Sequence, residues 1–291
     1  MNILLLEDYP EIKLEYLDYL KKWNKILWLN DKYENEKIDV IIVRSLVKVN
    51  KKLLDEYSSL KYVCRVWVWL DNIDLEECKN RDIKVLNTPL ANADSVADLV
   101  IWWILELSRN IMYWYEWIEN RFDYMGREIT GKIVSIIWFW NIWKKVYSRL
   151  KWFWVKEFLI YDPFISKEEV EKFELCKKVE DKKDIFKKSD IISFHIPLLD
   201  STRNFLWQKE IKLLKKDVMI VNTSRWWIIN ENKIYDFLLK NPSANMYLDV
   251  WEEEPNDPKV ELLELWNCLI TPHIWAMTLE AEEKMHKFEL N

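Results

Sequence analysis

Short runs of apolar and β-branched residues alternate with amphipathic stretches along almost the whole chain. In those stretches apolar residues recur at the three- to four-residue spacing of a helix. This alternation is typical of βαβ units, in which helices join parallel strands, and it predicts an α/β fold. The predicted strands are Ile3–Leu6, Val40–Val43, Tyr62–Val66, Ile133–Ile137, Phe158–Tyr161, Ile191–His195, Val218–Asn222, Met246–Val250 and Cys268–Thr271.

The chain is long enough for two domains, each with its own core. The segment 92–120 predicts an unusually long helix that could join them, with Asp94 and Ser95 as candidate caps. Neither an internal repeat nor a long flexible linker is visible. We therefore expect closely packed domains with a ligand cleft between them.

Composition excludes several classes of function. The net charge is −6 without a basic stripe, which argues against binding to nucleic acid. No apolar run reaches the length of a membrane span, and the N-terminus lacks the features of a signal peptide, so we expect a cytoplasmic protein. The four cysteines form no Cys-x-x-Cys pair, so neither a disulfide framework nor a metal site is predicted.

The ratio of tryptophan to glycine is abnormal. The chain has 19 tryptophans and 2 glycines. Together they make up about 7% of the residues, which is the usual frequency of glycine alone. We therefore interpret most tryptophans as positions where the fold requires glycine.

One cluster of tryptophans lies where a nucleotide-binding motif is expected. A predicted strand ends at Ile137, the residues Trp-Phe-Trp-Asn-Ile-Trp occupy 138–143, and a helical stretch follows. With glycine in place of each tryptophan this becomes G-F-G-N-I-G, the dinucleotide fingerprint in its strand-to-helix setting. About twenty residues further on, Asp162 follows the next strand, where a carboxylate binds a ribose hydroxyl and repels a 2′-phosphate. NAD is therefore favoured over NADP.

The chain resembles the D-isomer-specific 2-hydroxyacid dehydrogenases over nearly its whole length. Nine positions at which that family has glycine are tryptophan here, and we hypothesise that UGA codons for glycine were translated as tryptophan. The segments that carry the resemblance are Arg65–Asn72, Asn87–Pro89, Ser95–Asp98, His195–Leu198, Asn222–Trp227, Leu248–Pro255 and Thr271–Ala276. The nine positions are 67, 69, 138, 140, 143, 154, 226, 227 and 275.

The resemblance implies a doubly wound, parallel-sheet NAD domain at 92–273. This domain is inserted into a smaller flavodoxin-like α/β substrate domain, which comprises 1–91 and is completed by 274–291. A homodimer is also expected. Contacts to NAD are implied for Thr88, Trp138, Trp140, Asn141, Ile142, Trp143, Asp162, His195, Thr223, Ser224, Asp249 and Trp275.

The family's catalytic arginine, glutamate and histidine match Arg225, Glu254 and His273. A 2-keto acid presents a carboxylate beside a carbonyl oxygen, and a planar, permanently charged guanidinium holds and polarises both. His273 would protonate the carbonyl oxygen, with Glu254 as the carboxylate that favours the charged imidazole. Asp249 matches the residue that orients the nicotinamide carboxamide.

The substrate is predicted from the N-terminal part. The segment 41–49 is similar to phosphoglycerate dehydrogenases of the family, whose arginine at the position of Arg44 contacts the substrate phosphate. The backbone of Val68, Trp69 and Leu70 would hold the substrate carboxylate. We therefore predict oxidation of 3-phosphoglycerate for serine biosynthesis. The alternatives are a glyoxylate, hydroxypyruvate or D-lactate type of reductase and a non-enzymatic, corepressor-like NAD-binding protein.

Overall fold

The computed structural model describes residues 1–7, 21–22, 24–28, 37–44, 46–66, 70, 72–88, 90–112, 125–138, 141–251 and 260–288. The chain divides into two compact units, Met1–Asn92 with Ala276–Asn291 and Ala93–Trp275. These boundaries lie one and two residues from the predicted ones.

Strands and helices alternate in both units. The strands are Asn2–Leu5 (β1), Lys25–Trp28 (β2), Val40–Val43 (β3), Tyr62–Arg65 (β4), Lys84–Asn87 (β5), Ile133–Ile137 (β6), Glu157–Tyr161 (β7), Cys176–Lys178 (β8), Ile191–Phe194 (β9), Met219–Asn222 (β10), Asn245–Leu248 (β11) and Cys268–Ile270 (β12). The α-helices are Lys51–Glu56 (α1), Leu75–Asn80 (α2), Ala93–Arg109 (α3), Asn141–Leu150 (α4), Lys167–Val170 (α5), Lys182–Lys188 (α6), Gln208–Ile211 (α7), Glu231–Lys240 (α8), Val260–Leu263 (α9) and Leu279–Phe288 (α10). Among the described residues, no helix is both long enough and apolar enough to cross a membrane.

The first unit is built on a five-stranded parallel sheet in the order β2-β1-β3-β4-β5. This is the flavodoxin-like order. Its central strand β3 is buried along its whole length, as expected for a parallel sheet whose two faces are both covered. Asn50 and Asp74 cap α1 and α2 by accepting hydrogen bonds from the backbone of Leu53 and Glu77.

The second unit contains a seven-stranded parallel sheet in the order β12-β11-β10-β9-β6-β7-β8. The order reverses at β6, because β7 and β8 continue to one side while β9 to β12 continue to the other. In doubly wound folds, ligands bind at such a switch point, beyond the carboxyl ends of the strands. The fold class predicted from the sequence is therefore confirmed.

The long helix predicted over 92–120 is interrupted at Asn110, and its part beyond 112 lies outside the described residues. Helix α3 ends at Arg109, and Asn110 follows with a φ of 52°, a left-handed conformation that terminates a helix. Asp94 and Ser95 lie inside the first turn rather than at the cap, and Asp94 forms ion pairs with Lys145 and Arg149.

Two tryptophans occupy backbone conformations that favour glycine. Trp138 has a φ of 79°, and Trp154 has a φ of 52° and a ψ of 43°. In the left-handed region the Cβ of any side chain crowds the following carbonyl oxygen, which costs roughly 1–2 kcal/mol. Trp154 ends a 3-10 helix, the position at which glycine is most common, and its side chain is 76% exposed.

Replacing Trp154 by glycine is therefore expected to raise the free energy of unfolding by about 1 kcal/mol, because the backbone strain disappears and little buried surface is lost. Trp152 is a matched control, since it is also exposed and lies within the same 3-10 helix. Trp152→Gly should lower stability by about 0.5–1 kcal/mol. Urea unfolding of both variants checks this, and effects of the same sign would contradict it.

Candidate active site

The segment after β6 carries three of the predicted glycine positions, of which 138 and 143 are among the described residues. The backbone N–H of Trp138 donates to the carbonyl of Tyr161 at 2.8 Å. Its indole is buried and meets the ring of Phe164 edge to face, with centroids 5.3 Å apart. Trp143 is fully buried in the first turn of α4, with its ring 4.8 Å from that of Phe173. Large rings thus stand where the fingerprint needs a bare backbone.

Asp162 lies at the carboxyl end of β7, the strand next to β6. It is 4% exposed, and its Oδ1 accepts a hydrogen bond of 2.7 Å from the backbone N–H of Phe164. This bond fixes the carboxylate in the turn after β7. The indole of Trp138 contacts the same turn through Phe164. Asn141 and Ile142, also predicted to contact NAD, lie half-buried at the start of α4.

Several predicted cofactor contacts are buried polar groups without partners. Among the described residues, His195 Nδ1, Thr223 Oγ1 and, in the first unit, Thr88 Oγ1 have no hydrogen-bond partner. Leaving such a group unsatisfied costs about 1–3 kcal/mol, so each is a candidate for bonding to a ligand. The two groups of the second unit, His195 Nδ1 and Thr223 Oγ1, fit a dinucleotide, whereas Trp138 stands where the fingerprint needs glycine for its tight turn.

His195 follows β9 and is 2% exposed. Its Nε2 lies 2.9 Å from Ser193 Oγ, and burial lowers the pKa of the imidazole to about 3. Burial therefore favours the neutral form of the ring. That His195 lines the cofactor site stays a prediction.

The conformation of the loop after β10 is held by Asn222, for which no role was predicted from the sequence. Asn222 Oδ1 accepts bonds from the backbone N–H and the hydroxyl of Ser224, at 3.0 and 2.6 Å. Asn222 Nδ2 donates to the carbonyl of Arg225 at 3.1 Å. Arg225 is 3% exposed, and its Nη1 donates to the carbonyl of Ser224 at 2.8 Å. A buried asparagine thus fixes the loop that holds the predicted substrate-binding arginine.

Asp249 shapes the turn that carries His273. This carboxylate follows β11 and is fully buried. It accepts hydrogen bonds from Thr271 Oγ1 at 2.5 Å and from the backbone N–H groups of Ile274 and Trp275 at 2.9 and 2.8 Å. Burial raises the pKa of Asp249, while these bonds act in the opposite direction.

In the sequence, His273 lies between Thr271 and Ile274, two of the residues that donate to Asp249. Its backbone φ is 57°. Its backbone N–H donates to the carbonyl of Thr271 at 2.9 Å, and its ring centroid lies 5.6 Å from that of Trp275. Tyr247 extends the network, since its hydroxyl lies 2.5 Å from Thr271 Oγ1. Neither Thr271 nor Tyr247 was predicted as a site residue, because only the folded chain brings them to Asp249.

In the first unit, the loop after β3 carries Arg44. Glu7 Oε1 accepts hydrogen bonds of 3.0 Å from the backbone N–H groups of Arg44 and Val47. The carbonyl of Arg44 accepts bonds from Arg65 Nε at 3.0 Å and Asn72 Nδ2 at 3.1 Å. Four polar contacts thus fix the backbone on either side of Arg44.

The remaining predicted site residues are placed as follows. Leu70 is half-buried against the core of the first unit, and Trp275 is buried in the second. Four predicted site residues lie outside the described residues, namely Val68, Trp69, Trp140 and Glu254.

Comparison with known proteins identifies the family. Residues 101–274 match the model of the D-isomer specific 2-hydroxyacid dehydrogenase NAD binding domain. The chain belongs to this family of dehydrogenases. The dehydrogenase is therefore an NAD-dependent enzyme of the D-2-hydroxyacid class, and the non-enzymatic alternative has no support among the relatives below.

Relatives of this dehydrogenase carry different names. It is 36% identical over 256 residues to a hydroxypyruvate reductase of Thermotoga maritima, covering 85% of this chain and 81% of the relative. It is also 36% identical over 252 residues to a D-3-phosphoglycerate dehydrogenase of Methanocaldococcus jannaschii, covering 84% of this chain but 47% of the relative. The structure of a D-lactate dehydrogenase from Aquifex aeolicus, complexed with NAD and lactic acid, is similar with a TM-score of 0.86 and 25% identity, covering 99% and 93% of the two chains.

Proposed function

We propose that this dehydrogenase oxidises 3-phosphoglycerate with NAD, and that its functional form has glycine at the nine tryptophan positions predicted from the family. The choice of substrate is supported chiefly by Arg44, a cation whose loop is fixed by Glu7, Arg65 and Asn72. A guanidinium with a fixed backbone suits a phosphate. The resemblance of segment 41–49 to phosphoglycerate dehydrogenases supports the same substrate.

Two features of the structure support the glycine positions. Trp138 and Trp154 have positive φ angles, which bulky residues rarely adopt. Trp138 and Trp143 place indoles at the fingerprint positions where glycine permits the tight turn and the close packing of helix on strand. A source in which UGA encodes glycine would explain both features with one cause.

The residues of the second unit then have distinct roles. Arg225 binds the substrate carboxylate and polarises the adjacent carbonyl, and its loop is held by Asn222. NADH supplies the hydride in the direction of keto-acid reduction. His273 gives a proton to the carbonyl oxygen in that direction and accepts one from the hydroxyl in the other. We propose Glu254 as the carboxylate partner of His273, Asp162 as the ribose ligand and Asp249 as the carboxamide ligand.

Hydroxypyruvate reduction is the second candidate, because this chain is 36% identical over 256 residues to a hydroxypyruvate reductase. Glyoxylate and D-lactate are further alternatives from the sequence. A cytoplasmic homodimer also remains a prediction. Turnover of 3-phosphoglycerate, D-glycerate and D-lactate by the glycine-containing protein separates the substrates, and no turnover of any 2-hydroxy acid with NAD would contradict the proposal.

Arg44→Ala tests the phosphate role directly. Because a hydrogen bond to a charged group contributes about 1.5–3 kcal/mol, kcat/KM for 3-phosphoglycerate should fall by about 10- to 100-fold. The value for D-glycerate should change less than about threefold, since it carries no phosphate. Arg81→Ala is the control, because Arg81 pairs with Asp55 and Glu77 at the surface of the same unit. Equal losses for both substrates in Arg44→Ala would rule out the phosphate contact.

A further inference from the structure

Arg44 is already paired with an acid. Its Nη2 lies 3.2 Å from Glu282 Oε1, and the two side chains are only 17% and 13% exposed. Glu282 belongs to the first turns of α10, where its backbone N–H donates to the carbonyl of Thr278 at 3.1 Å. The carboxylate is therefore held beside the guanidinium by a helix of the same unit.

The described contacts of the Arg44 loop include charges of both signs. Arg44 and Arg65 contribute two positive charges, and Glu7 and Glu282 contribute two negative ones. Glu7 and Arg65 hold the backbone of the loop, whereas Glu282 contacts the guanidinium itself. A substrate that approaches Arg44 thus meets a cation that already has a carboxylate beside it.

Phosphorylated and unphosphorylated substrates respond differently to this arrangement. A phosphate group carries a charge of about −1.5 to −2 near neutral pH, whereas a hydroxyl carries none. A phosphate on Arg44 lies within a few ångströms of the Glu282 carboxylate, in a partly buried place where solvent screens their repulsion poorly. The repulsion acts on the phosphorylated substrate alone.

We infer that Glu282 is a specificity-determining residue that restrains the preference of this enzyme for phosphorylated over unphosphorylated 2-hydroxy acids. This inference rests on the proposed function, because it requires Arg44 to face the end of the substrate that carries the phosphate in 3-phosphoglycerate and a hydroxyl in D-glycerate. Glu282 acts through the charge of Arg44 and takes no part in the chemical step.

Glu282→Gln tests the inference, because glutamine keeps the shape of the side chain and removes the charge. In the glycine-containing protein, the ratio of kcat/KM for 3-phosphoglycerate to that for D-glycerate should rise about tenfold, mainly through a lower KM for 3-phosphoglycerate. Glu280→Gln changes the net charge equally, on an exposed position of the same helix, and should leave the ratio within about twofold. An unchanged or lower ratio in Glu282→Gln would overturn the inference.

A double variant shows whether Glu282 works through Arg44. In an Arg44→Gln background, adding Glu282→Gln should raise the ratio by much less than tenfold, whereas a full tenfold rise would contradict action through Arg44. Calorimetry with inorganic phosphate gives a readout without turnover, and Glu282→Gln should bind it about tenfold more tightly than the parent. Glu282→Ala provides a second charge-removing variant if the glutamine variant does not fold. Absence of all turnover would contradict the proposed function, whereas turnover with an unchanged ratio would contradict only the role of Glu282.

Discussion

Glycine at positions 138, 140 and 143 is expected to increase the affinity of the protein for NAD by at least about 100-fold over the protein with tryptophan. The indole of Trp138 is 5% exposed and lies against Phe164, in the turn that also carries Asp162. A pyrophosphate must approach the backbone of this turn and the N-terminus of α4, which only residues without side chains allow. A 100-fold change corresponds to about 2.7 kcal/mol, a modest value for removing such an obstruction.

Calorimetric titration with NAD measures this difference. The matched control replaces three other tryptophans of the same unit with glycine, namely Trp152, Trp207 and Trp266, whose side chains are 69%, 39% and 45% exposed. This control should leave NAD affinity within about threefold of the parent. Equal affinity in the parent and in the variant with glycine at 138, 140 and 143 would show that the indoles do not obstruct the site.

His273→Gln is expected to lower kcat of the glycine-containing enzyme by about 1,000-fold, within the range of about 10²–10⁴ that a positioned acid or base contributes. Glutamine offers a hydrogen-bonding side chain but does not exchange a proton near neutral pH. The turn itself should persist, because Asp249 binds the backbone of Ile274 and Trp275 rather than the imidazole.

The affinity for NAD separates a chemical role of His273 from a structural one. It should stay within about threefold of the parent in His273→Gln, as measured by calorimetry. If kcat falls less than about tenfold, another group must be the proton donor. His195 is a poor candidate for that group, because burial lowers its pKa to about 3.

The interior of the fold could be predicted from the sequence, because its central strands are short runs of apolar residues that are buried on both faces. Strands β3, β9, β10 and β11 are buried along their whole length and consist mostly of apolar residues. The edge strands β2, β5 and β8 were not predicted. Their sequences contain lysines at Lys25, Lys84, Lys177 and Lys178, since an edge strand is open to solvent and charged side chains protect it from further pairing.

The position of the candidate site could be predicted in part from the sequence as well. Asp162, His195 and Asp249 all follow strands, and the carboxyl ends of parallel strands meet at one edge of a sheet. The supporting contacts of Thr271 with Asp249 and of Glu282 with Arg44 were not predictable. They join residues that are distant in sequence, and their partners are chosen by packing rather than by a local pattern.

The identity of residues 138, 140 and 143 in the natural protein tests the central claim most directly. Mass spectrometry of the peptide that spans β6 and α4, taken from the protein purified from its natural source, reads these positions without reference to any codon table. Glycine at all three, encoded by UGA, is the expected result. Tryptophan at these positions, encoded by UGG, would contradict the claim that this chain has a functional dinucleotide site.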